Sequence, residues 1–250
     1  MMSDRISHVF SPDDEIFKYH FPDTPIVPGI LPVAAFCKEM ADKSVDFINL
    51  RNLFFYQFIR PNEDIKYSQE RNKISATVSE QLCFSFFLDY SGKDEGCEIK
   101  RDLFSSSLLS LPLREPEFWF LPKTVYINDI SNSANCHLNI KLLQDESAYL
   151  QKFQYFTLLI LVEAMGNLAL VLQHQQQQNI LTESDYVFAR FGELAFSPDI
   201  EHINSPVFIE TKVTRFGSIM CWNAWAYSEG EKLLWINDAI SIKRKGNDVG

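Results

Sequence analysis

The sequence predicts an α+β protein in which one unit occurs twice: a curved antiparallel sheet wrapped around one long central helix. Three observations carry this. The run from Phe156 to Leu172 is apolar over most of its 17 residues and is interrupted in its middle by Glu163 and Asn167. A helix that is apolar nearly all round needs burial on most sides, which a curved sheet supplies. Short aromatic and β-branched runs of strand length lie on both sides of it. Finally, the order of elements in the first half recurs in the second. Ala34 in the first helical segment faces Glu163 in the second at an offset of 129, and Asp64-Ile faces Asp199-Ile at an offset of 135. The polar tract His174 to Asn179, an insertion after the second helix, accounts for the difference. We divide the chain into residues 1–115 and 116–250.

In order, Ile6 to Phe17 reads as an irregular strand and turn. The segment His20-Phe-Pro-Asp-Thr-Pro-Ile-Val-Pro28-Gly29 places three prolines and a glycine in ten residues, which forces a loop. A helix is expected from Ile30 to about Ile48, with Ala34, Ala35, Met40 and Ala41 as good formers. Strands are expected at Leu53–Ile59, Ile65–Tyr67, Ile74–Val78, Leu82–Tyr90 and Ile99–Leu109, followed by a proline-bearing connector, Leu111 to Pro122. The pattern then restarts with strands at Val125–Ile130 and Cys136–Leu143 and the helix from Thr157 to about Gln173. Its polar tract is a loop or frayed helix end. Strands recur at Tyr186–Ala195, Val207–Val213, Ile219–Tyr227 and Leu233–Ile242.

Composition narrows the function classes. The chain has 250 residues, 46% hydrophobic and 22% charged, with 21 Phe and only 9 Gly. This is the balance of a globular protein with a bulky core. A formal charge of −10 repels phosphate backbones, so nucleic-acid binding is not expected. The one tight basic cluster, Lys243-Arg244-Lys245, reads as a solvated tail. The five cysteines are scattered without a CxxC pair, which argues against a zinc site or a disulfide framework. The apolar run is shorter than the roughly 20 residues of a membrane span and carries Glu163, so it reads as a core helix. No signal-peptide run is present at the start, and a cytoplasmic location is expected.

The segment Phe17-Lys-Tyr-His20-Phe-Pro-Asp-Thr-Pro-Ile-Val-Pro28-Gly29-Ile30-Leu resembles the active-site loop of the hotdog-fold β-hydroxyacyl-thioester dehydratases of fatty acid synthesis. Leu161-Val-Glu163-Ala-Met165-Gly-Asn167 resembles that family's helix motif. The departures form a pattern. Fourteen residues after His20, where the family has an acid, stands Ala34. Fourteen before Glu163, where a His belongs, stands Tyr149, or Gln151 if the alignment slides by two. Asp23 replaces the family's glycine. The first half therefore keeps the His and the glycine at the start of its helix, and the second half keeps the acid.

The resemblance implies a double hotdog with one composite site. His20 and Glu163 would be catalytic, and Pro28, Gly29, Ile30 and Asn167 would contact substrate. A neutral imidazole suits removal of an α-proton near pH 7. A carboxyl on an apolar helix stays protonated more readily and can protonate a departing hydroxyl. Amides at the start of the first helix would stabilise charge on the thioester oxygen. The expected activity is dehydration of a 3-hydroxyacyl thioester, with the acyl group on an acyl carrier protein or coenzyme A. No metal or redox cofactor and no membrane partner is expected. Whether two such chains associate is left open. Two alternatives remain: double-bond isomerisation or polyketide cyclisation by the same pair, and a non-catalytic hotdog partner subunit.

Overall fold

A computed structural model describes residues 6–18, 25–40, 47–91, 107–111, 120–141, 156–177, 186–203 and 205–243. His20, Asp23, Cys97, Tyr149 and Gln151 lie outside the described residues.

The described strands are β1 (Ser7–His8), β2 (Phe47–Phe55), β3 (Ile65–Glu70), β4 (Lys73–Val78), β5 (Gln81–Ser91), β6 (Ser107–Ser110), β7 (Thr124–Asn128), β8 (Ser133–Leu138), β9 (Tyr186–Phe196), β10 (Val207–Arg215), β11 (Ile219–Ser228) and β12 (Glu231–Lys243). Among the described residues, the α-helices whose full range is given are α1 (Ile30–Met40) and α2 (Phe156–Gln177). The strands form one 12-stranded sheet in the order β1-β3-β4-β5-β2-β9-β12-β11-β10-β8-β7-β6, in which every pairing is antiparallel. The sequence of neighbours β1-β3-β4-β5-β2 thus recurs as β8-β10-β11-β12-β9. The expectation of two separate sheets is corrected at one place. The two innermost strands, β2 and β9, pair with each other from Ile48 with Phe196 to Phe54 with Arg190, and make the sheet continuous.

That seam is closed by side chains as well as ladder bonds. The Glu193 carboxylate of β9 accepts from Asn49 of β2 at 2.8 Å and from Asn237 of β12 at 2.7 Å. The main core runs through both halves without a break. A small second cluster of Phe47, Ala195 and Trp235, with Trp225 against it, packs separately. Alternation along β12 explains the split, because Leu234 and Ile236 face the main core and Trp235 faces away.

Each helix is tied to its own half by a hydroxyl from the sheet. Tyr67 of β3 donates to the Pro32 carbonyl at 2.9 Å, and Thr211 of β10 donates to the Met165 carbonyl at 3.0 Å. His8 adds a bridge between Glu39 of α1 at 2.8 Å and the Tyr67 hydroxyl at 3.1 Å. The α2 segment Thr157–Gln176 is long and apolar enough to cross a membrane, but 83% of its most apolar window is buried inside the protein. It is the core helix that its pattern predicts.

The first helix does not run on to Ile48. Phe47 and Ile48 already pair with Ser91 and Tyr90 of β5, and the ladder takes them. Similarly, Cys136–Leu143 is a strand only to Leu138, and Ile140 opens a helical turn. Leu53–Ile59 leaves the sheet after Phe55, and the residues that follow face the site described below.

The two helices start differently. Before α1, Pro28 disfavours helical backbone at Val27, whose amide donates to the Ile59 carbonyl at 2.8 Å. At the start of α2, the Glu201 carboxylate, from a 3₁₀ turn at Pro198–His202, accepts from the amides of Thr157 at 3.1 Å and Leu158 at 3.4 Å. A remote carboxylate thus satisfies amides that a helix leaves open at its first turn. Burial raises the Glu201 carboxyl above its usual value, and these hydrogen bonds pull it back. Glu201→Ala should lower stability by about 1–2 kcal/mol, read as a drop in the urea midpoint at unchanged slope. An unchanged midpoint would show that this cap is idle.

Candidate active site

A cavity of about 290 Å³ opens where β2 and β9 diverge past their last paired residues. One wall is the loop before α1 (Ile26, Val27, Gly29), and a second is Phe55 to Ile59. The third is the face of α2 carrying Glu163, Gly166, Asn167 and Leu170, and the strand ends Tyr186–Ala189 and Ser241–Ile242 complete it. Residues 29 and 163, one from each half, therefore line a single space.

The α2 face is dictated by helical spacing. Steps of four and three from Glu163 reach Asn167 and then Leu170, which keeps these three on one side of the helix. Glu163 is half-buried and lines the cavity, and its sequence neighbours on the helix, Val162, Ala164 and Met165, are buried apolar residues. Burial pushes its carboxyl from the usual value of 4.5 up to about 7. The cause is desolvation alone, which penalises the charged form. The group can therefore hold a proton near neutral pH and give it up on demand.

At the start of α1, the Leu31 amide donates to the Pro28 carbonyl at 2.9 Å, and Pro32 has no N–H. Among the described residues, that leaves the amides of Gly29 and Ile30 as donors at this helix start. Glycine is required at position 29 because a Cβ there would sit 2.8 Å from the edge of the Phe55 ring. Gly166, one position before Asn167, is constrained in the same way by Phe188, also at 2.8 Å. Phe55 meets Phe191 edge-on with ring centroids 5.8 Å apart, and Phe188 lies 5.2 Å from Phe191. One aromatic cluster thus sets both glycine contacts, and its Phe55 and Phe188 rings line the cavity.

Of the residues that sequence reasoning selects, Gly29, Glu163 and Asn167 come together in the cavity. Pro28 and Ile30 are buried and their side chains are not among its lining, because Ile30 packs into the core and Pro28 is covered beside it. Only the Ile30 backbone remains to serve a ligand. His20 lies outside the described residues. The sequence reading missed Phe55, Phe188, Tyr186 and Ser241. A glycine inside a helix, Gly166, was the available signal that a bulky group packs against that turn. Ser241 is 2% exposed and its oxygen accepts from the Trp222 indole at 3.0 Å, which leaves its own proton to donate. Burial raises the thiols of Cys37, to about 12, and of Cys136, so neither is a nucleophile at neutral pH.

Residues 3–93 match the family model of the ApeI-like dehydratases. Solved structures match over nearly the whole chain. The dehydratase domain of RzxB from Pseudomonas fluorescens is 10% identical, with 96% of each chain covered and a TM-score of 0.67. A trans-acyltransferase polyketide synthase enoyl-isomerase is 10% identical, covering 96% of this chain and 100% of its own, with a TM-score of 0.69. A pyran synthase domain from the sorangicin pathway is 10% identical, covering 96% and 94%, also with a TM-score of 0.69. The family model covers the first part of the chain, and the solved structures share the hotdog fold over nearly all of it. No curated protein matches it in sequence. At such low identity the structural likeness establishes the hotdog fold, and the chemistry has to come from the cavity.

Two outcomes follow from this hotdog cavity. Between about pH 4.5 and 7 the folded chain keeps a proton on Glu163 that the unfolded chain has released. The group's effect on stability is therefore most favourable below that window and becomes less so as pH rises through it. Glu163→Gln does not titrate, so its melting temperature relative to wild type should climb across the window and level off above it. A flat difference would contradict the desolvated carboxyl. Gly29→Ala forces the Phe55 ring aside and should lower stability by about 1–3 kcal/mol, measured by denaturant unfolding; no change would mean that the ring gives way freely.

Proposed function

We propose that the protein is a 3-hydroxyacyl-thioester dehydratase with one composite site, built as a double hotdog from residues 1–115 and 116–250. The observation that carries this reading is the meeting of Gly29 and Glu163, from opposite halves, across one cavity. Glu163, held near pH 7 by desolvation, supports the role of acid. His20, as the base, takes the proton from C2. Electrons flow to form the C2–C3 double bond, and Glu163 protonates the hydroxyl that leaves C3 as water. Charge gathering on the thioester oxygen meets the Gly29 and Ile30 amides, whose position at a helix start suits an anion. Asn167, one turn beyond Glu163, orients the acid or the hydroxyl. The start of α2, which a second site would need, is occupied by Glu201, and this supports a single site. The substrate is carried on an acyl carrier protein or coenzyme A, in fatty-acid-like or polyketide-like synthesis in the cytoplasm.

The test is hydration of a short trans-2-enoyl thioester, the reverse reaction, followed by loss of its conjugated absorbance. His20→Ala and Glu163→Gln should each reduce kcat by about 10²-fold or more with folding intact. The dehydration direction should slow as pH rises through about 7, because Glu163 then loses its proton. Full activity in either variant removes that residue from its role. A wild-type product with a shifted double bond, in place of hydration, assigns the same pair to isomerisation.

A further inference from the structure

The polar chemistry of α2 does not stop at the cavity. On the face that carries Glu163, Asn167 and Leu170, the next residue in register is His174. Five buried side-chain nitrogen and oxygen atoms lack a hydrogen-bond partner among the described residues, and three of them are here: Nδ1 and Nε2 of His174 and Nε2 of Gln173. The Gln173 amide is fixed in orientation, because the Gly217 N–H donates to it at 3.0 Å and only the oxygen can accept. Its NH₂ group is therefore the unmet end, on a side chain 1% exposed.

This cluster adjoins the cavity. Tyr186, a lining residue, donates its hydroxyl to the Gly217 carbonyl at 2.7 Å, so Gly217 links Tyr186 to Gln173. Lys243 pairs with Tyr186 in the ladder and directly follows Ile242, another lining residue. Burial, helped by the charge of Lys243, holds the pKa of the His174 ring below the usual 6.5. Lys243 also opens the run Lys243-Arg244-Lys245, the one tight basic cluster in a chain of charge −10. A buried donor with no acceptor is costly, and a hydrocarbon tail would leave it unmet. An oxyanion would meet the Gln173 NH₂, a His174 N–H and the lysine together.

We propose that the cluster of Gln173, His174 and Lys243, beside the end of the cavity lined by Tyr186 and Ile242, is a recognition subsite for an anionic oxygen group, phosphate or carboxylate, that the substrate carries away from its reacting centre. Eleven residues separate Glu163 from His174, so at a rise of about 1.5 Å per residue the two lie roughly 16 Å apart along α2. The inference rests on the thioester reading, which provides two sources for such a group: the phosphate of a pantetheine arm, or a carboxylate at the far end of the acyl chain.

Calorimetric titration of the full chain with two ligand pairs separates them. The first pair is 4′-phosphopantetheine against pantetheine. The second is a pantetheine thioester of a medium-length acyl chain ending in carboxylate, against the same chain ending in methyl. The wild type should bind the anionic member of one pair about 10-fold or more tightly than its neutral counterpart. The first pair assigns phosphate, and the second assigns carboxylate. Gln173→Glu keeps the acceptor for Gly217 but replaces the donor by a carboxylate oxygen. Lys243→Met changes an exposed side chain and spares the core. Both should bring the ratio to about 1. Equal affinities within both pairs, no binding of either pair, or a ratio that survives both substitutions overturns the proposal. The readout needs no turnover, so a chain inactive in the hydration assay that still shows the ratio counts against the dehydratase reading alone.

Discussion

A long helix that is apolar on nearly every side must be surrounded, and α2 imposes that requirement on everything around it. Of its described side chains, those from Thr157 to Val162 and from Leu168 to Gln173 are all buried. Strands β8, β10 and β11 of its own half, the turn at Pro198–His202 and α1 from the other half pack against it. The same burial sets the acidity of the carboxyl proposed as the acid. Glu163 is an acid that the helix cannot turn toward bulk water, so its charged form is penalised and its proton is retained near pH 7. Packing and the acidity of Glu163 are thus two results of one constraint. The unusual element is a carboxyl inside an otherwise apolar helix, and the cavity is the space that makes it tolerable.

The two halves repeat each other in strand order but differ where their helices begin. At α1 the glycine, held by the Phe55 ring, leaves a backbone that a ligand can approach. At α2 a glutamate from a distant turn fills the corresponding place. Helix starts attract anions, so closing one with the chain's own carboxylate removes it from competition for substrate. On this reading the repeat has been divided by function, with one helix start and one helix acid serving a shared centre and the opposite pair turned to structure.

Much of this was legible in the sequence because it is local. Prolines and a glycine before Ile30 mark a loop that cannot be helical, and the apolar run with Glu163 in its middle marks a buried helix with an acid. The strand runs at Val207 and Ile219 appear close to where alternation and turn residues put them. What was not legible is long-range. Phe47 and Ile48 read as the end of a helix, and only pairing with β5 and β9 makes them strand. Nothing near β2 or β9 announces that each is the other's neighbour, so one sheet was read as two. Phe55, Phe188, Tyr186 and Ser241 reach the cavity from separate strands, and alternation along a strand does not say which face meets α2. The side chains of Pro28 and Ile30 are buried and do not line the cavity, so the motif marks the backbone beside Gly29 without telling which side chains turn toward the space.

The most direct test of the shared centre is a crystal structure of the Glu163→Gln variant with a 3-hydroxyacyl thioester bound. The thioester oxygen should lie about 2.7–3.1 Å from the Gly29 or Ile30 amide, while the C3 hydroxyl lies within hydrogen-bond reach of residue 163. A thioester seated at the Thr157 and Leu158 amides, or one whose hydroxyl points away from residue 163, would contradict the composite site.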